Sequence, residues 1–209
     1  MSKLSILMSN SKLVNIAVLG SGKGSNFLSI AKAVSMGQLP ARICVVVSDN
    51  PEALIIKRAT ELGIPTAVLP CGKYKTWLEP WIEEELVRVL KQYHSELVVL
   101  AGFMRVLKET FLKAFEGRTV NIHPSLLPAF KGKEAWKAAL EACVAETGCT
   151  IHWVSKEVDG GKIIAQSKVP VLPGDTPESL HARIQQAEHE LYPKVLKDLC
   201  LDWIKKYAK

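Results

Sequence analysis

The sequence predicts an α/β fold, an open and mostly parallel sheet with helices on both faces. Short apolar runs rich in β-branched residues alternate with helical periodicity as far as His123, the rhythm of strands joined by crossover helices. A glycine-rich stretch, GSGKGSN from Gly20 to Asn26, falls at the first strand-to-helix handover, a point where Rossmann-like sheets place ligands. The length of 209 residues, with 48% hydrophobic and 23% charged, suits one domain burying roughly 70% of its unfolded surface.

NIAVL is the first strand, and the helix after it runs from Ser25 to Met36, with Gly37 as its C-terminal stop. ARICVVVS is nearly continuous in apolar residues, as a strand covered on both faces must be. A helix from Ala53 to Leu62 ends at Gly63, and TAVL follows as a strand. The next helix, Thr76 to Tyr93, tolerates Pro80 in its first turn, where no N–H is needed. LVVLAGF and TVNI are strands separated by a helix from Lys108 to Phe115. After His123 the loop PSLLPAFKG leads to a helix from Lys133 to Ala145, then strands at TIHWV and IIAQSKVPV. Thr176 and Pro177 open a long C-terminal helical stretch, expected to break near Pro193. Residues 1–13 read as an N-terminal extension and 14–209 as a single domain.

Composition narrows the function classes. The longest apolar run, Leu97 to Met104, is far shorter than a membrane span, and the N-terminus lacks a secretory signal, so no membrane partner and a cytoplasmic location are expected. Cys44, Cys71, Cys143, Cys149 and Cys200 contain no CxxC pair, so neither a disulfide framework nor a metal site is signalled; buried small hydrophobes are expected. The net charge of +6 is spread without a basic run. That suits a binder of small anions better than a nucleic-acid protein.

GSGKGSN fails as a Walker A loop, because Gly24 follows Lys23 where Ser or Thr is required. It also fails the GxGxxG dinucleotide pattern at Ser25, and Asp49 is the only acidic candidate at the end of the second strand. What remains is an anion cradle: glycines admit a close approach, and the N–H groups of Ser25 and Asn26 face the guest with the helix dipole behind them. Side-chain capping of the helix by Ser25 or Asn26 is the bland alternative.

In TVNIHPSLLP, Asn121 and His123 lie two residues apart on a strand that Pro124 ends, so both project to one side. An amide and an imidazole together suit an oxyanion, although a lone strand-end histidine is more often structural. Asp159, before Gly160 and Gly161, is either ordinary turn chemistry or a carboxylate that favours the protonated form of His123. His152 reads as a structural or supporting group, Glu83 to Glu85 as a solvated helix face, and Ser125 lacks the partners of a nucleophile.

GSGKGSN, LAGFMRVL, NIHPSLLPAF, TGCTIHWV, VDGGKIIAQ and QQAEHELYP occur together in order, from about Val14 to Ile204. This set resembles the phosphoribosylglycinamide formyltransferase family of purine biosynthesis. The resemblance implies a formyltransferase fold that moves a formyl group from 10-formyltetrahydrofolate to the amine of a phosphoribosyl glycinamide, without a metal. It implies that Gly24, Ser25 and Asn26 hold the substrate phosphate and that Gln185 and Glu188 bind the rest of that substrate. Met104, Arg105, Val106, Leu107, Asn121 and the loop Ser155, Lys156, Glu157, Val158, Asp159 would line the folate site. Asn121, His123 and Asp159 would be catalytic. Small-molecule partners and a monomer or homodimer follow from the same resemblance.

The chain departs from the family pattern in places. The basic folate contact before the third helix has no clear counterpart, with Lys73 and Lys75 merely nearby, and Glu134 stands where relatives often carry His or Asn. Competing readings are a formyltetrahydrofolate hydrolase, an initiator-tRNA formylase, a noncatalytic phosphometabolite-binding module, and an RNA-binding protein suggested by the pI near 9.0 alone.

Overall fold

A computed structural model describes residues 12–207; all but Lys12 and Leu13 of the expected N-terminal extension lies outside them. The strands are β1 (Val14–Leu19), β2 (Ala41–Ser48), β3 (Thr66–Val68), β4 (Leu97–Leu100), β5 (Thr119–His123), β6 (Glu146–Trp153) and β7 (Ile163–Pro170). They form one seven-stranded sheet in the order β3-β2-β1-β4-β5-β6-β7. Neighbours from β3 to β5 are parallel, and β5–β6 and β6–β7 are antiparallel. The helices are α1 (Ser25–Ser35), α2 (Leu54–Glu61), α3 (Pro80–Gln92), α4 (Glu109–Ala114), α5 (Ala135–Glu141) and α6 (Pro177–Tyr207).

Strand alternation splits the core into two layers. Val14, Ile16 and Val18 of β1 pack with Phe27 and Ile30 of α1 and with Leu180, Ile184 and Leu196 of α6. Ala17 and Leu19 face the other way, onto Ile82, Leu86 and Leu90 of α3 and Phe111 of α4. Each fully buried large side chain here contributes about 1.5–3 kcal/mol relative to exposure. The fold thus matches the expected open sheet covered on both faces.

Several boundaries move for physical reasons. The helix expected from Thr76 begins at Pro80, because Thr76 and Trp77 pair instead with Val106, whose N–H donates to Thr76 O. The helix expected over Lys133 to Ala145 shrinks to α5, bounded by Glu134 and Cys143 in left-handed conformations. β6 correspondingly starts at Glu146 rather than near Thr150. α6 runs unbroken through Pro193. The lost backbone bond there is outweighed by the packing of Val195 and Leu196 and by Tyr192, whose buried hydroxyl lies 2.9 Å from Leu100 O and 3.2 Å from Val120 O.

Two other expectations are corrected. Glu83 is 2% exposed: its carboxylate accepts from the backbone N–H groups of Lys108 and Phe111, satisfying donors at the start of α4. Only Glu84 is a solvated residue of that run, since Glu85 is half-buried and pairs with Arg88. Of the cysteines, Cys44, Cys149 and Cys200 are buried, but Cys71 and Cys143 are exposed in loops.

Candidate active site

The GSGKGSN loop joins β1 to α1. Gly24 takes φ 72° at the N-cap of α1, and no side chain caps the helix, so the capping alternative for Ser25 and Asn26 is absent. A Cβ at Gly24 would lie 2.8 Å from the Ile55 side chain. The first N–H groups of α1 therefore remain open to an anion. Gly24→Ala is expected to weaken binding of a phosphate-bearing ligand at least about tenfold, measurable by calorimetric titration, with far less effect on the unliganded fold's helix content by circular dichroism.

Asn26, 8% exposed, donates from Nδ2 to Glu188 Oε2 at 2.8 Å, and Glu188 is itself only 5% exposed. This pair links α1 to α6 beside the anion cradle. Burial pushes the Glu188 carboxyl up to about 7, against the opposing pull of the Asn26 amide. Asn26 Oδ1 is buried without a partner among the described residues. Gln185, one turn before Glu188, is half-buried, with Nε2 3.5 Å from His181 Nε2. His181 stacks flat on Trp136 at 3.8 Å. Both helix residues expected to hold substrate are thus partly or wholly enclosed rather than solvated.

At the end of β5, Asn121 and His123 lie on the same strand face, and antiparallel β6 sets His152 opposite Asn121 and Thr150 opposite His123. His123 Nδ1 is 3.3 Å from Asp159 Oδ2, and Nε2 is 2.8 Å from Phe130 O. Phe130 O can only accept, so Nε2 is the donor in that bond, while Nδ1 faces the Asp159 carboxylate at ion-pair distance. Asp159 Oδ2 also accepts from Gly132 N–H at 2.9 Å. Burial would raise the Asp159 carboxyl, but His152, the Gly132 N–H and His123 together hold it below its usual range.

His152 stands between Asn121 and Asp159. Its Nδ1 donates to Trp153 O at 2.9 Å, and its Nε2 lies 3.2 Å from Asn121 Nδ2 and 3.6 Å from Asp159 Oδ1. With Nδ1 the donor, Nε2 accepts from the Asn121 amide, and at 3.6 Å Asp159 is an electrostatic neighbour rather than a hydrogen-bond partner. The residue read from sequence as structural or supporting thus connects two members of the expected triad.

Loop geometry fixes this arrangement. Asp159 has φ 52°, and a Cβ at Gly161 would fall 1.7 Å from Trp153 O, so the turn can close on β6 only with glycine there. Lys131 Nζ meets Glu157 Oε1 at 2.7 Å, tying the 124–132 loop to the 155–161 turn. Ser125 is fully buried, and its hydroxyl donates to Ala129 O at 2.6 Å. It is a loop-folding group.

The Met104, Arg105, Val106, Leu107 segment follows β4, between the GSGKGSN loop and β5. Met104 N donates to Ser21 Oγ at 2.8 Å. Met104 is exposed, Arg105 and Val106 are half-buried, and Leu107 is buried. Lys156, Glu157 and Val158 are exposed and Ser155 is half-buried, its hydroxyl donating to Glu157 O at 3.1 Å. Lys108, immediately after this segment, places its ammonium 3.3 Å from the Trp77 ring centroid; sequence reasoning passed over it. The loops after β1, β4 and β5 thus converge at the point where strand order reverses, the usual crevice of such sheets. Among the described residues, cavities also lie outside the triad. One of about 710 Å³, among Leu28, Leu39, Ile43, Leu62 and Ile64, is beside the start of β2. Another, about 700 Å³, extends from Ser25 past Arg58 to His189 and Lys194. Among the described residues no helix is long and apolar enough to cross a membrane, and no cluster of side chains is suited to a metal ion.

The phosphoribosylglycinamide formyltransferase of Haemophilus influenzae is 40% identical over 182 residues, covering 87% of this chain and 85% of that one. The trifunctional purine biosynthetic protein adenosine-3 of Gallus gallus is 44% identical over 184 residues; the chain spans 18% of its length. The crystal structure of glycinamide ribonucleotide transformylase 1 from Geobacillus kaustophilus superposes with a TM-score of 0.85 at 45% identity, covering 90% of this chain and all of that one. Residues 14–196 match the formyl transferase domain family; with that match spanning most of the sequence and the fold agreeing, the chain belongs to the formyl transferase family.

Proposed function

We propose that the domain formed by residues 14–209 transfers the formyl group of 10-formyltetrahydrofolate to the amine of N1-(5-phospho-D-ribosyl)glycinamide, giving the N2-formyl product and tetrahydrofolate in purine biosynthesis. The observation that carries this reading is the meeting of His123 with Asp159, to which His152 joins Asn121. The names of the relatives support it. Gly24, Ser25 and Asn26 would hold the phosphate; Gln185 and Glu188 would hold the sugar and amide portion. Met104 to Leu107, Asn121 and the Ser155 to Asp159 loop would line the folate.

The neutral amine attacks the formyl carbon, and the former carbonyl oxygen gains negative charge. The Asn121 amide and the His123 ring stabilise that oxygen. The Nε2 proton that Phe130 O accepts is the one the oxyanion would take in its place. Asp159 sets its negative charge against the ring, and with water and His123 it moves the amine proton toward the departing folate nitrogen as the C–N bond breaks. No step requires a metal or a covalent enzyme intermediate.

The test supplies purified protein with both substrates and follows tetrahydrofolate by absorbance. Release that requires both substrates is expected. Folate turnover without the amine would indicate a hydrolase, ligand binding without turnover a noncatalytic module, and salt-sensitive tRNA binding a nucleic-acid role. Any of those results would replace the proposal.

A further inference from the structure

Arg105 sits within the segment assigned to the folate, yet its guanidinium turns back into the protein. Its Nε donates to Asp49 Oδ2 at 2.5 Å, its Nη1 to Tyr74 O, and its Nη2 to Cys71 O at 3.3 Å. Asp49 immediately follows β2 and is 6% exposed, and the Arg105 side chain is 10% exposed. Next to them, Val106 N–H donates to Thr76 O at 2.8 Å, and Trp77 bridges Val106. One ion pair therefore ties the end of β2, the 71–77 strap and the segment after β4.

A buried ion pair is a poor source of net stability, because desolvation offsets the attraction. What the planar fork of an arginine supplies is direction: it fixes several acceptors at set angles, which an apolar pair would not. The clamp carries a further sign of constraint, since Asp49 Oδ1 is buried without a partner among the described residues. The substrate-side groups are held by other means. Asn26 and Glu188 bond to each other across α1 and α6.

Resting on the function proposed above, we propose that Asp49 is a positioning residue for the folate co-substrate. It acts through Arg105, setting the path of Met104 to Leu107 and the seat of the 71–77 strap. Its consequence is selective: loss of the pair loosens the folate wall while the Asn26–Glu188 pair and the Asn121, His123, Asp159 set stay in place.

The experiment compares wild type, Asp49→Asn, and the neutral double variant Asp49→Asn with Arg105→Gln, which avoids leaving a half-buried charge unpaired. Steady-state KM is measured for each substrate, with kcat at saturation of both. In either variant that folds, KM for 10-formyltetrahydrofolate is expected to rise roughly 10- to 100-fold, while KM for the amine substrate and kcat stay within about threefold. A purely structural role would move both KM values or lower kcat through loss of active protein. An unchanged folate KM in a folded variant, or a matching rise in both KM values, overturns the positioning role while leaving the function intact. Absence of turnover by wild type would overturn the function and, with it, this inference.

Discussion

A His123→Ala variant is expected to lose about 10² to 10³ in kcat, with binding of the phosphoribosyl substrate nearly unchanged. The ring is held by Asp159 and Phe130 O, whereas the cradle is built from the Gly24 turn and the Asn26–Glu188 pair, so the cradle survives its removal. What is lost is a donor whose orientation is set from both sides, by Asp159 at Nδ1 and by Phe130 O at Nε2. Asp159→Asn should also reduce kcat, since the amide removes the negative charge that faces the ring at Nδ1. The double variant should cost much less than the product of the two losses, because both residues act on one proton and one oxyanion. Rapid-quench measurement of a single turnover, alongside calorimetric titration of the amine substrate, checks both halves. Full turnover in His123→Ala would remove the ring from the mechanism.

Glu188→Gln is expected to make the protein more stable and a worse enzyme. The folded carboxyl holds its proton up to about 7, against an ordinary value of 4.5. Between those two pH values the native state binds more protons than the unfolded chain, so stability falls as pH rises through the window and levels off above it. At 1.36 kcal/mol per pKa unit, the cost at pH 8 reaches about 3 kcal/mol. The amide variant carries no such cost. Urea unfolding should show it more stable than wild type at pH 8 and similar at pH 4.5. A ligand hydroxyl would lose a charged acceptor, weakening substrate affinity by roughly 1.5–3 kcal/mol. A variant that gains stability while keeping wild-type KM for the amine substrate would show that Glu188 does not contact it.

These two residues illustrate what the sequence makes legible. The strands of the parallel half, their alternation and the shared face of Asn121 and His123 follow from local pattern, as does the glycine-rich turn at α1. The meeting with Asp159 is not local. It depends on the return of β6 along β5 and on Gly161 fitting under Trp153 O, neither of which periodicity encodes. Glu83 could have been found, because it shares the α3 stripe with Leu86 and Leu90; a run of three glutamates disguised it as a solvated face. Asp49 stands out as an acid at the end of β2, but its arginine lies 56 positions away, beyond any spacing rule. Pro193 misled in the opposite sense: the rule that proline ends helices is correct in isolation, and the anchoring of Tyr192 to β4 and β5 overrode it.

The two outer strands of the sheet bear on behaviour in crowded solution. β3 offers only three residues, too short a template for a neighbour to extend. β7 is longer, but it is flanked by exposed Lys162, bears exposed Lys168, and ends at Pro170, which has no N–H to donate. A second copy sliding alongside would have to bury those ammonium groups and forgo a backbone bond, so fibrous growth from either margin is discouraged.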